Sequence, residues 1–271
     1  MKEQRKEVEK EAMKAEEDPP IPTEDEMRTE ARDRAPRVFL TIRDADGAVV
    51  ARVQGSRKKG IHRTSWNLRQ PTMRPTQLRE GELDPWDRRE TGPLVNPGTY
   101  TVALSVIDSD EDGERQLTEP QEFNVVALDQ ATFAAEQPAE VLEFMEKTNR
   151  LQRAVRGAIR AAGEAENRLK HVRQAIIDTP EADLDMLVRV DRMHDELRDL
   201  LIELRGDRVI ASRNRPTPPS ISGRVGSITR GHWHTTGEPT ETHRQQYQWA
   251  AEEFADVLPE LRSLIEEDLA E

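Results

Sequence analysis

An α+β class, built as a small antiparallel β-sandwich followed by a long-helix three-helix bundle, is what these 271 residues predict. Three observations lead there. Between Arg37 and Val126 apolar residues recur with period two, and turn signals return at intervals of about 8–12 residues with no helical pattern between them. From Val141 to Ile176 the apolar residues recur instead in alternating steps of three and four, a seam with a 3.5-residue repeat. The two patterns occupy separate stretches, as in a multidomain chain with segregated strands and helices.

Composition narrows the function classes. Hydrophobic residues make up 35% and charged residues 34%, with a net charge of -13, so any core is narrow. Acidic and basic residues are interleaved, whereas phosphate binding needs clustered Lys and Arg without matching acids, and a nucleic-acid partner is not expected. Arg57-Lys58-Lys59 is too short a basic cluster to change that. Cysteine is absent, which removes disulfides and thiolate metal sites. No apolar run reaches about 18 residues, so no membrane span is expected. The N-terminus carries no apolar segment that would serve as a signal peptide. At face value the chain is cytoplasmic, unless it is a fragment with an export signal upstream.

The first segment, residues 1–36, reads as a charged helical linker. Met1 to Glu17 are dense in Lys and Glu, the Asp18-Pro19-Pro20-Ile21-Pro22 run ends any helix, and Thr23 with Glu26 three residues on makes a capping box. The sandwich follows over residues 37–128. Val38, Leu40 and Ile42 alternate, Asp44-Ala45-Asp46-Gly47 is a hairpin turn, and Val49, Val50 and Val53 continue into a second strand. Ile61 to Leu68 is expected as a third strand, with Trp66 as its core aromatic. After a Pro-rich excursion from Arg69 to Pro97, Tyr100, Val102, Leu104 and Val106 form one face of the clearest strand, and Phe123 and Val125 point inward from the closing one.

The bundle occupies residues 138–271. Its first helix carries the seam and stops at Asp178-Thr179-Pro180, where proline cannot continue it. The second runs from about Asp183 to Arg205, with Gly206 as C-cap. A long crossover without helical periodicity, residues 207–240, is expected next, and the third helix spans about Glu241 to Leu269. The seam is about 54 Å long and the second helix about 33 Å. The end around Val141, Phe144 and Leu151 therefore needs another cover, from the sandwich, the Trp233 segment, a domain supplied elsewhere or a second copy of the chain. An intramolecular cover is preferred, since the sandwich is tethered a few residues upstream.

Candidate chemistry is sparse. His232 and His234 project to one side if their segment is extended, and His243 lies nearby in sequence with Glu238 and Glu241 between. Imidazoles with a carboxylate are typical zinc ligands. The competing reading makes Trp233 a packing anchor and its flanking histidines polar edge residues. His194, on the apolar face of the second helix, is expected as a buried, hydrogen-bonded histidine. Asp108, Asp110, Glu111 and Asp112 would suit calcium, although acids with a glycine at a hairpin tip ordinarily form a solvated turn. Trp86, among Glu82, Asp84 and Asp87, would stack on a sugar if exposed, and Trp233 would anchor a peptide or carbohydrate. No serine nucleophile elbow, phosphate-cradling glycine loop, HExxH or GxGxxG is present, so neither a catalytic residue nor a cofactor is assigned.

Three motifs do carry a resemblance: Arg43 to Gly47 (RDADG), His62 to Leu68 (HRTSWNL) and Pro93 to Val102 (PLVNPGTYTV). They resemble the Ig-like module, akin to that of the flagellar hook-capping protein, near the C-terminus of bacterial sortilin-like (VPS10-type) BNR-repeat β-propeller proteins. Those are often labelled glycosyl hydrolases or sialidase-like. The stretches Pro216 to Val225 and Trp233 to Thr240 resemble the helical region that follows in the same proteins. The resemblance implies a small Ig-like sandwich, a propeller partner in cis or in trans, and export to the periplasm or cell exterior. The propeller's Asp-box turns are absent from this chain, so the family's active-site residues have no positions here. The expectation is a non-catalytic accessory region that packs on or extends a propeller. The alternatives are a free-standing carbohydrate- or peptide-binding module and a metal-dependent hydrolase using His232, His234 and His243.

Overall fold

The computed structural model of the chain describes residues 2–32, 34–73, 75–76, 91–108, 113–128, 134–232 and 235–269. In chain order the elements are α1 (Lys2–Lys14), α2 (Glu24–Arg32), β1 (Arg37–Arg43), β2 (Val49–Gln54), β3 (Arg69–Pro71), β4 (Thr91–Leu94), β5 (Gly98–Ile107), β6 (Glu114–Gln116) and β7 (Gln121–Val125). The helices α3 (Pro138–Asp178), α4 (Asp185–Arg205), α5 (Arg208–Ala211), α6 (Ile221–His232) and α7 (Glu241–Ser263) follow, and α7 passes into a π-helical turn at Leu264–Asp268. Antiparallel sheets and long helices together make the α+β class. The chain divides into two compact units, one of Met1–Leu68 with Pro97–Val126 and one of Arg69–Asn96 with Ala127–Glu271. Residues 69–96 thus group with the helices, where the sequence pattern alone assigns them to the sandwich.

The first unit holds α1, α2 and the larger sheet. Arg5 bonds Glu30 across the two helices at 2.7 and 3.0 Å and also pairs with Glu9 on its own helix. The capping box forms as expected, Thr23 N–H donating to Glu26 at 2.8 Å and Glu26 N–H to the Thr23 hydroxyl at 3.3 Å. The sheet runs β2-β1-β5-β6, with β7 also beside β5. Its register sets Leu40 against Val53 and Leu104, Ile42 against Ala51 and Val102, and Tyr100 against Phe123. Since side chains alternate across a strand, these residues share one face. At the hairpin turn the Asp44 carboxylate accepts from the N–H groups of Asp46 and Ala48, and Gly47 takes φ 81°.

Trp66 stands edge-on to Tyr100 and Phe123, at 6.0 and 6.3 Å between ring centroids. It anchors this face without belonging to a strand, because residues 61–68 form no ladder. The sequence explains the difference. Ile61 has the opposite parity to Trp66 and Leu68, so an extended strand would face them oppositely; Ile61 is fully exposed. Leu68 moreover takes φ 58°, in the left-handed region that a strand does not use. Trp66→Ala is expected to cost about 2–3 kcal/mol, less than for a fully buried Trp because the ring is half-buried. A thermal melt unmoved by the change would remove Trp66 from the core.

The second unit centres on α3, about 60 Å long. Val141, Thr148, Val155, Ala158, Ala162, Ala165, Leu169 and Ile176 of the seam are buried. Thr148, its polar member, satisfies its hydroxyl by donating to the Phe144 carbonyl at 2.8 Å. The partner α4 runs from Asp185 to Arg205 and is closed by Gly206, whose φ of 91° and N–H bond to the Ile202 carbonyl at 2.7 Å make it the expected C-cap. Its alignment on α3 is read from Arg173 with Asp191 at 3.1 Å and Glu166 with His194 at 3.9 Å.

The stretch 207–240, expected to be irregular, contains α6. Ile221, Val225, Ile228 and His232 recur at helical spacing and are all buried. Gln152 of α3 donates to the Thr229 hydroxyl at 2.9 Å, and Phe144 lies 5.9 Å from His232. Thus α4 covers the C-terminal half of the seam and α6 follows it along the N-terminal half, so two short helices in tandem match one long stripe. The other wall is α7, through Ala250, Phe254, Val257 and Leu261. The ribbon β3–β4 joins the same end of α3, where the Gln70 amide donates to Glu146 at 2.8 Å. No described helix is long and apolar enough to cross a membrane.

Candidate functional site

Where α6 ends and α7 begins, the tandem cover brings together two histidines eleven residues apart. His232 is the last residue of α6 and is buried; Thr240 caps α7, accepting from the His243 N–H at 3.2 Å. These positions set His232 Nε2 2.8 Å from His243 Nδ1. Gly231 permits the approach, since a Cβ there would lie 3.0 Å from His243 Nε2. Phe144 closes the other side of His232, and Tyr247 packs 6.0 Å from Phe144.

One ring N–H must donate to the other ring's lone pair. The remaining nitrogen of His232, Nδ1, is buried without a hydrogen-bond partner. An orphaned lone pair is tolerated better than an orphaned N–H, so we assign the proton to His232 Nε2 and the accepting lone pair to His243 Nδ1. Protonating His232 would place an unpartnered cationic N–H in the core. Burial first, then the charges of His243 and Arg244, accordingly push His232 down to about 4, and burial lowers His243 as well. At neutral pH the pair is an uncharged clasp joining α6 to α7.

Beside this clasp an open groove of about 430 Å³ runs between α3 and α7. The half-buried Phe144, Tyr247 and Ala251 form its floor, and the exposed Lys147, Arg244, Gln248 and Glu252 its rim. The Lys147 ammonium sits 4.4 Å from the Tyr247 ring centroid, and the Arg244 guanidinium carbon 5.8 Å from that of Phe144. Cations in this position are held by the ring quadrupole.

Of the residues singled out from the sequence, His232 and His243 meet, but as partners of each other. His232 closes a helix, so the extended geometry that would aim His232 and His234 the same way does not apply at its first member. Trp86, Trp233 and His234 lie outside the described residues, as do Asp110, Glu111 and Asp112. Among the described residues no three His, Asp or Glu side chains gather as a metal site. His194 is half-buried, facing Glu166. No motif in the sequence marks the groove, since Phe144 and Tyr247 have the spacing of buried helix positions and Lys147 and Arg244 are single charges among many. Its signal is a spacing of three within each helix, Phe144 with Lys147 and Arg244 with Tyr247, which puts ring and cation on one face.

Comparison of the chain with models of protein families, with curated proteins and with solved structures finds no match.

Proposed function

We propose that this chain is a non-catalytic interaction region: an Ig-like module and a helical bundle that pack on or extend a β-propeller of the sortilin-like BNR-repeat class, in cis or in trans. The observation carrying the proposal is the state of the His232–His243 pair. Its facing nitrogens are engaged with each other at 2.8 Å, and burial depresses both rings. A general base works best with a pKa near the operating pH, whereas burial holds both rings down; this pair is suited instead to join two helices. The RDADG turn and the Trp66 cluster support the same reading through the resemblance they carry. The α3–α7 groove favours peptide binding as the mode of interaction.

The DNA upstream of the Met1 codon, or the adjacent gene, is expected to encode a propeller. Purified propeller and chain are expected to elute together at the summed mass in light scattering. Turnover of glycoside or peptide substrates by the purified chain, lost on His232→Gln with His243→Gln, would replace this reading with the hydrolase.

A further inference from the structure

Resting on the interaction-region reading, we propose that the α3–α7 groove receives an acidic peptide segment of a partner protein, with an aromatic or aliphatic side chain seated between its carboxylates. The floor offers Phe144, Tyr247 and Ala251 to the apolar side chain. Both aromatic residues are half-buried and Phe144 is fixed from behind by His232, so the surface is formed before a ligand arrives. The rim supplies the charge. Lys147 and Arg244 are exposed and rest over ring faces, and among the described residues neither makes an ion pair. On the same helix as Lys147, Arg150 holds Glu146 only loosely, at 3.9 Å.

Acidic residues outnumber basic ones, 53 to 40, and some helix cations meet a carboxylate, as Arg224 meets Glu253 at 3.2 Å and Lys170 meets Glu166 at 3.2 Å. Lys147 and Arg244 meet aromatic rings instead. In the groove the acid Glu252 is already engaged, accepting from the Gln248 amide at 3.0 Å. Ligand carboxylates set between Lys147 and Arg244 would complete the pairing over an apolar floor, where water is partly excluded and charge attraction is stronger than in bulk. A polyanionic nucleic acid fits less well, because the described lining carries two cations, Lys147 and Arg244, too few to neutralise a continuous run of phosphates.

The test is calorimetric titration of the intact chain with the acetylated, amidated hexapeptide Glu-Asp-Leu-Phe-Glu-Asp. Saturable one-site binding is expected. It should weaken at least tenfold in Lys147→Glu with Arg244→Glu, weaken by a smaller factor in Lys147→Gln, and vanish for the Gln/Asn version of the peptide. Both substituted positions are exposed, and unchanged circular dichroism verifies the fold. Equal affinity of the wild type and the double variant, no binding up to millimolar peptide, or tighter binding of a single-stranded DNA 12-mer through the same residues overturns the assignment. Peptide binding absent while the chain still elutes with a propeller rejects the groove alone. Peptide binding intact without co-elution rejects the propeller and retains the groove.

Discussion

Lowering the pH from 7 to 4.5 is expected to remove about 2.5 kcal/mol of stability from the helical unit through His232 alone. The ring is lowered from 6.5 to about 4 on folding, so between those values the unfolded chain binds a proton that the folded chain refuses. The contribution of a neutral His232 is therefore whole above about pH 6.5, declines as the pH falls through that value, and is exhausted below about 4. His243 is lowered too and adds in the same direction. The carboxylates act in a different window. Burial alone would raise Glu166, but Lys170 together with Arg205 and His194 outweighs it, and the hydrogen bond from Ser105 holds Glu114 down. Acids with depressed values keep their contribution above about 4.5 and lose it below, so the interval from 6.5 to 4.5 belongs to the histidines. Urea unfolding followed by helical circular dichroism at the two pH values measures the difference, and His232→Leu should flatten it. A wild-type midpoint that does not move over this interval would contradict the buried, neutral clasp.

Opposite signs are expected from two substitutions at Gly226, in the middle of α6. Gly226→Pro should cost about 3 kcal/mol, because proline removes a helical hydrogen bond and its ring meets the preceding turn. Gly226→Ala should stabilise by about 0.5–1 kcal/mol through helix propensity. The alanine Cβ has room, its nearest neighbour being the Arg230 side-chain tip at 3.5 Å. In an irregular crossover both changes would fall within about 0.5 kcal/mol of zero, as surface substitutions do. Thermal melts of the pair separate the two cases, and a tolerated proline would dissolve the tandem cover of α3.

Much of the fold was legible where one residue's chemistry decides a local conformation. Asp44 and Gly47 fix a turn, Thr23 and Glu26 close a helix start, Gly206 ends α4, and the seam of α3 announces itself over many repeats. Where tertiary packing decides, the pattern misleads. The segment 221–232 carries Gly223, Gly226 and Gly231 among Ser and Thr and follows Pro216, Pro218 and Pro219, a composition that disfavours helix. Only Ile221, Val225 and Ile228 keep the helical spacing, and burial against α3 supplies what propensity lacks. In the first unit, Trp66 was rightly expected to pack on the sheet, but the strand drawn around it depended on an alternation that Ile61 breaks. The candidate site was half legible. His232 and His243 were selected for their chemistry, whereas their mutual bond depends on the helix placement of α6, and the groove depends on α3 and α7 lying side by side.

Long-range nitrogen–proton NMR of the histidine rings through an acid titration, with and without zinc, tests the central claim most directly. His232 is expected to stay neutral down to about pH 4, His243 to show an accepting Nδ1, and the ring signals to stay in place with equimolar zinc. A His232 that titrates near 6.5, or zinc-induced shifts of both rings at neutral pH, would contradict it and return the pair to metal chemistry.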